Sequence, residues 1–323
     1  MIAERLTYLA AVNQTLEQVL EIYPESFILG EDVGAYGGAF GATAGLQERF
    51  PDRVLETPIS EAAITGLATG AALMGKRPIL EIQFGDFLTV AMDQIVNQLA
   101  KIPYITGQDL PVVIRVATGA GTGAGVQHSQ SLEAWFAHVP GLQVLSPSNA
   151  YDAKGLLLGA VASGKPTLIF EPKTCYKETS LVPKETYQLP LGRSQIVAEG
   201  TDVTVVAVGS MVPLVEQAIR QTSFSVNLLD LRSIAPLDRA GIFQAASKTG
   251  RVLVVTESYG AFGLAAEVMA GLVEQGFSGK MKRLTSQFIP IPAAQSLESK
   301  TLPSVDDIVR EIEGMMHENQ NEK

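Results

Sequence analysis

His128 stands in Gln127-His128-Ser129-Gln130, directly after the glycine-rich run Gly119-Ala-Gly-Thr-Gly-Ala-Gly125. An imidazole donates or accepts a proton near neutral pH. A glycine run lets backbone approach a ligand because no Cβ stands in the way. The chain has only three histidines, at 128, 138 and 317. The plainer alternative is a loop histidine bonded to a neighbouring carbonyl. A second candidate is Glu61 in Thr57-Pro58-Ile59-Ser60-Glu61. Ser60 reads as a helix N-cap, which puts Glu61 in the first turn, where the helix dipole favours a carboxylate. The helix behind it is built of small residues, Ala62, Ala63, Gly66, Ala68, Gly70, Ala71 and Ala72. Two interior glycines cost roughly 1 kcal/mol each relative to alanine, which points to close packing against a backbone or a flat ligand. A third candidate is Phe87 in Glu81-Ile-Gln-Phe84-Gly-Asp-Phe87, at the exit of a strand. There it is able to stack on a planar ring, or to serve as an ordinary core aromatic.

These side chains need a scaffold, and the composition supplies one. The 323 residues are 46% hydrophobic and 18% charged, enough for about two domains with a large core. No apolar run reaches the roughly 20 residues of a membrane span, so no membrane association is expected. The opening Met-Ile-Ala-Glu-Arg-Leu has no charged-then-apolar targeting pattern, and a cytoplasmic protein is expected. A single cysteine, Cys175, excludes an intrachain disulfide and a cysteine metal cluster, and no metal ligand set is assigned. The net charge of −10 argues against nucleic acid as a partner and is compatible with a basic protein partner, or simply with solubility.

The first half alternates strands and helices. Helices are expected over 8–22, 60–74, 87–101, 129–138 and 150–163, and strands over 26–30, 77–84, 110–117, 142–145 and 166–171. Apolar strands separated by helices imply a parallel sheet covered on both faces. The stretch 175–200, with Pro183 and Pro190 and no periodicity, reads as a linker. The second half restarts with strands over 203–208, 225–231 and 251–256. Helices begin at Val212 and Asp238, and another spans 263–275. This is a smaller doubly wound domain. The polar tail 318–323 is expected to fray. There is no internal repeat or low-complexity segment. The glycine run fits a dinucleotide fingerprint poorly. The first acidic residue after it is Glu133, whereas such sites want one about 20 residues on.

Taken together in order, these segments resemble a known family. The matching text is Gly30-Glu-Asp-Val-Gly34 with Gly37-Gly38, then Arg53-Val-Leu-Glu-Thr-Pro-Ile-Ser-Glu61 and Arg77-Pro-Ile-Leu-Glu-Ile-Gln-Phe84. It continues through Asp93-Gln-Ile-Val-Asn97, Gln127-His-Ser-Gln130, Pro140-Gly-Leu142, Tyr151-Asp-Ala-Lys-Gly-Leu-Leu157 and Asp230-Leu-Arg-Ser233. Over nearly its full length the chain resembles the beta subunits of thiamine-diphosphate-dependent 2-oxo acid dehydrogenases, a transketolase-like family. Each motif alone is weak; their order makes the match.

The resemblance implies an α/β fold of two doubly wound domains. These are a transketolase-like pyrimidine-binding domain over 1–185 and a transketolase C-terminal-type domain over 186–323. It implies that Glu61 is the glutamate bonded to the aminopyrimidine ring nitrogen of thiamine diphosphate, which assists ionisation of the thiazolium carbon. Phe87 matches the position that stacks on the aminopyrimidine. His128 matches the histidine near the reacting carbon, which contacts substrate and helps pass the acyl unit to a lipoyl group. Glu31 falls near the cofactor pocket.

The class holds the diphosphate and its Mg²⁺ with Gly-Asp-Gly and a later Asn, and no such pair occurs in this sequence. The resemblance therefore implies that a separate alpha subunit supplies that half, in an α2β2 heterotetramer that docks on a dihydrolipoyl acyltransferase core. The implied activity is oxidative decarboxylation of pyruvate or a branched-chain 2-oxo acid. The alternatives are an acetoin dehydrogenase beta subunit and a non-catalytic scaffold of the same fold. Three departures stand out. Pro103 is unexpected inside what should be a helix end. Ser163-Gly164-Lys165 replaces the Asp-bearing turn of relatives with a structural K⁺, which counts against that ion. Gln287-Phe288 replaces a more polar pair.

Overall fold

The computed structural model describes residues 3–317, so the expected fraying of 318–323 lies outside the described residues. The chain forms two compact units. Of the described residues, one comprises 3–118 and 135–191, and the other 119–134 and 192–317.

The first unit is built on a parallel sheet. Its strands are β2 (Ser26–Gly30), β3 (Val54–Glu56), β4 (Arg77–Ile82), β5 (Val113–Thr118), β6 (Gln143–Leu145) and β7 (Thr167–Pro172). Their spatial order is β6-β7-β5-β4-β2-β3. Every residue of β5 and β7 is buried, the pattern of strands covered on both faces. β1 (Ala3–Thr7) leads into helix α1 (Tyr8–Ile22), where the Thr7 hydroxyl caps the first turn by accepting from the Ala10 amide at 3.1 Å. α1 lays Val12, Leu16, Val19 and Leu20 into a core shared with Leu156 and Leu157 of α6 (Ala150–Ser163). The remaining helices are short α2 (Leu46–Arg49), α3 (Glu61–Leu73), α4 (Ile102–Thr106) and α5 (Glu133–Ala137).

Two helices differ from the sequence expectation. The stretch 87–101 is not one α-helix. It is a 3₁₀ turn over Gly85–Thr89 followed by a π-helical segment over Gln94–Leu99. Pro103 then sits in the first turn of α4, where its missing N–H costs nothing. The helix expected from Ser129 begins only at Glu133, because Ser131 Oγ bonds Glu257 (3.3 Å) and holds that stretch in a loop.

The stretch read as a linker is structured. β8 (Thr179–Pro183) pairs antiparallel with β1. Beyond it, the chain straps across α6. Tyr187 stacks on Tyr151 with ring centroids 4.7 Å apart, and the Leu189 amide donates to the Gly155 carbonyl at 3.0 Å. A Cβ on Gly155 would fall 2.6 Å from Leu189, so glycine is required for this approach. Sequence periodicity misses such a strap because its contacts are non-local.

The second unit carries β9 (Gln195–Ala198), β10 (Val203–Ala207), β11 (Val226–Asp230), β12 (Ser233–Ala235), β13 (Arg251–Tyr259) and β14 (Lys280–Ser286). Five of these form a sheet in the order β14-β13-β10-β11-β9, with β9 antiparallel and the rest parallel. Its helices are α7 (Met211–Ile219), α8 (Arg239–Thr249), α9 (Leu264–Glu274), α10 (Gln295–Thr301) and α11 (Val305–His317). Asp238 caps α8 by accepting from the Gly241 amide at 3.0 Å. The fold is the expected α/β class in two domains. Among the described residues no helix is long and apolar enough to cross a membrane.

Candidate functional site

In the first unit the candidate residues gather beyond the carboxyl ends of parallel strands, where open α/β sheets bind ligands. Glu31 follows the last residue of β2, and Glu61 is the first residue of α3. Both are buried, at 5% and 8% exposure. Ser60 takes the N-cap position as expected, but its side chain makes no capping bond. Instead its amide donates to Glu31 Oε1 at 3.1 Å, which ties the two acidic positions together. Burial pushes the Glu31 carboxyl up from its usual range; the charge of Glu61 adds to this and the Ser60 amide opposes it.

The surroundings of Glu61 fit a polar ring better than a closed core. The carboxylate takes no side-chain hydrogen bond among the described residues. The hydroxyl of Thr65, one turn along the same helix face, is buried without a partner, as is the hydroxyl of Thr57. Buried polar atoms left unpaired cost about 1–3 kcal/mol each, so these hydroxyls call for a water or a ligand group as partner. The buried carboxyl pair and orphan hydroxyls are a donor and acceptor set suited to an aminopyrimidine edge.

Phe87 sits in the 3₁₀ turn after β4, half-buried, and packs edge-on against Phe84 at 5.8 Å. Phe84 in turn meets Phe40 at 5.6 Å, and Lys173 Nζ lies 5.2 Å from its ring centre. This places an aromatic ring in the same unit as the carboxyl pair. His128 belongs to the second unit. It is half-buried in a turn, and its amide donates to the Gly125 carbonyl at 3.3 Å. Beside it, the Ser129 hydroxyl is buried without a partner.

The sequence reading missed several residues that set this geometry. Glu56, at the end of β3, accepts from the Asp32 amide (2.6 Å) and the Gly34 amide (2.7 Å) and so shapes the loop after Glu31. Asp32, at φ 59°, is also held by Gln83 Nε2 at 2.7 Å. Under the sheet ends lies a buried ion cluster. Arg115 donates to both oxygens of Glu171 (2.8 and 2.9 Å) and to Glu81 Oε2 (2.8 Å), and Tyr176 Oη donates to Glu171 Oε2 at 3.1 Å. These groups line a cavity of about 10 Å³, room for one water. Charged residues inside the otherwise apolar β4, β5 and β7 were the available signal.

Replacing Glu31 with Gln is expected to raise the melting temperature of the free chain at pH 7. The native carboxyl has its pKa raised, so its contribution is favourable below the ordinary carboxylate range and is lost as pH rises through the native value. Glutamine keeps an oxygen for the Ser60 amide and removes the repulsion toward Glu61. Thermal melts at pH 7 and pH 4 check this. The gain should be present at the higher pH and absent at the lower one.

The fold is that of an α/β protein assembled from two transketolase-type domains. Residues 4–179 match the transketolase pyrimidine binding domain, and residues 192–308 match the transketolase C-terminal domain. The chain is 41% identical over 314 residues to the 2-oxoisovalerate dehydrogenase subunit beta of Bacillus subtilis, covering 94% of this chain and 96% of that protein. It is 40% identical over 321 residues to the mitochondrial pyruvate dehydrogenase E1 component subunit beta-2 of Oryza sativa, covering 95% and 85%. A structure described as a split-gene transketolase, inactive beta4 tetramer, superposes with a TM-score of 0.80 at 22% identity, covering 95% and 96%, and shows the shared fold. The chain belongs to the transketolase-like family, in the branch formed by dehydrogenase beta subunits.

Proposed function

We propose that this chain is the beta half of an α2β2 decarboxylating component that acts on pyruvate or a branched-chain 2-oxo acid. The observation that carries the reading is the buried, donor-poor Glu61 carboxylate beside Glu31 at the head of a small-residue helix. Thiamine diphosphate, when bound, supplies the ionisable thiazolium carbon that takes up the oxo acid. Glu61 would hold the proton at the pyrimidine ring nitrogen, in a site dry enough for a carboxyl to bias it. The second carboxyl, Glu31, has its own proton affinity raised, by burial first and then by the charge of Glu61. Phe87 would stack on the pyrimidine face. The His128 imidazole would contact the substrate and exchange a proton with the lipoyl sulfur during acyl transfer.

The diphosphate and Mg²⁺ are assigned to the alpha chain, because the Gly-Asp-Gly and Asn pair that holds them in this class has no counterpart in the sequence. Docking on a dihydrolipoyl acyltransferase core goes with this assignment. A second reading, acetoin cleavage, is favoured by 39% identity over 320 residues to an acetoin:2,6-dichlorophenolindophenol oxidoreductase subunit beta of Bacillus subtilis. The presence of both Glu61 and His128 argues against a non-catalytic scaffold.

The test is reconstitution. The purified chain is combined with its alpha partner, thiamine diphosphate and Mg²⁺, then offered pyruvate, branched-chain 2-oxo acids and acetoin. Turnover is expected only with both chains present. Turnover by the lone chain, or none in any combination, contradicts the reading. In the active pair, His128→Ala should lower lipoyl acylation by about 100-fold or more, the range of a lost proton-transfer group. Cofactor affinity should stay within a few-fold; a collapse of that affinity would make His128 a structural residue.

A further inference from the structure

The glycine run before His128 is wrapped around carboxylates of its own unit. Gly119, Gly121, Gly123 and Gly125 all have positive φ, between 70° and 87°. Successive amides in such a conformation form a concavity that binds an anion. Here the anion is internal. Glu298, on α10 and 1% exposed, accepts from the Gly121 amide through one oxygen (2.8 Å) and from the Gly123 amide through the other (2.9 Å). Glu257, in β13, accepts from the Ala120 amide at 2.5 Å and from Ser131 Oγ at 3.3 Å, on the two sides of His128. Its other oxygen accepts from Ser210 Oγ at 2.5 Å, and its carbonyl accepts from Ser286 Oγ. The fit is tight around Gly119 and Gly125. A Cβ on Gly119 would lie 2.8 Å from Glu257 Oε1, and one on Gly125 would lie 3.2 Å from Ala293.

We infer that Glu298 and Glu257 are positioning residues that fix the loop carrying His128. Charge-assisted bonds from backbone amides to a carboxylate are about twice as strong as neutral ones. Three amides and a hydroxyl are committed this way within residues 120–131. The loop has no helix or strand until Glu133, so these bonds hold the backbone on both sides of His128 where no secondary structure does. The inference rests on the proposed role of His128 for its catalytic consequence, but the clamp itself does not.

The experiment uses the assembled enzyme with Glu298→Ala and Glu298→Gln. Amide hydrogen exchange is read on peptides covering 119–131 and, for comparison, β10. Steady-state constants for lipoyl acylation are measured in parallel. For Glu298→Ala, exchange in 119–131 is expected to quicken about tenfold or more, as for loss of a charge-assisted bond, with β10 unchanged. The kcat should fall about tenfold with KM for thiamine diphosphate unchanged. Glu298→Gln keeps one carbonyl acceptor but turns an NH2 donor toward the other amide, so it should recover only part of both, and it remains informative if the alanine variant does not fold. Unchanged exchange in 119–131, or an equal rise everywhere, overturns the clamp. A loosened loop with wild-type kcat overturns the positioning role. If His128→Ala itself leaves turnover intact while the loop still responds to Glu298→Ala, the failure belongs to the proposed role of His128 and the clamp stands.

Discussion

Glu61→Gln in the assembled enzyme is expected to lose turnover by about 100-fold to 10,000-fold, the range spanned by positioned acid–base groups. The fold should be untouched. Among the described residues Glu61 accepts no hydrogen bond that glutamine would break, and it occupies a helix first turn where the neutral amide loses only a few tenths of a kcal/mol, up to about 1 kcal/mol, of dipole interaction. Removing the charge also relieves the repulsion toward Glu31, which offsets that loss. Circular dichroism and thermal melting should therefore match wild type while kcat collapses. Activity near wild type would remove Glu61 from the chemistry. A matching collapse of the melting temperature would make it a structural residue.

Arg115→Met is expected to carry a large stability loss. Breaking a buried ion pair by deleting one partner costs about 3–5 kcal/mol, because the other charge is left in a low-dielectric interior. Arg115 is 2% exposed, and two carboxylates, Glu81 and Glu171, depend on it. Burial alone would lower the guanidinium pKa, yet the charges of Glu171 and Glu81 outweigh burial and push it up. Burial pushes the Glu81 carboxyl up, with Arg115 opposing. Without Arg115 that opposition is gone, and the Glu81 value rises further.

The sign of the pH effect follows. A carboxyl whose native pKa is raised stabilises the fold below the unfolded value, and that contribution is lost as pH rises through the native one. The deficit of Arg115→Met should therefore be largest at neutral pH and shrink as pH falls toward the ordinary carboxylate range. Denaturant unfolding of wild type and variant across pH 5–8 measures it. A deficit under about 1 kcal/mol, or one independent of pH, would show that the cluster relaxes or takes in solvent freely.

The elements that carry strong local patterns were legible in the sequence. α1 at 8–22, β2 at 26–30 and α6 at 150–163 follow the expected bounds: α1 has helical apolar spacing behind the Thr7 cap, β2 is a short apolar run, and α6 is a mostly apolar helix between the Asn149 cap and Gly164. The acidic pair was legible only in part. Glu61 announced itself through the Ser60 cap position and the small-residue helix. The link from Glu31 to the Ser60 amide joins residues 29 positions apart, and no local pattern reports it. The same holds for Arg115, whose partners lie on β4 and β7 and meet it only through sheet order. The break of 87–101 into 3₁₀ and π segments was hidden because its apolar spacing is compatible with an ordinary helix. The loop around His128 was legible as a glycine run. Its carboxylate clamp was not, since Glu257 and Glu298 come 126 to 177 residues after the groups they hold, from β13 and α10.

The most direct measurement is a structure of the assembled alpha–beta complex with thiamine diphosphate bound. The expected result places a Glu61 carboxyl oxygen about 2.6–3.2 Å from a pyrimidine ring nitrogen, with the diphosphate and Mg²⁺ held by the alpha chain. A Glu61 side chain directed away from the coenzyme, or a diphosphate held by this chain alone, would contradict it.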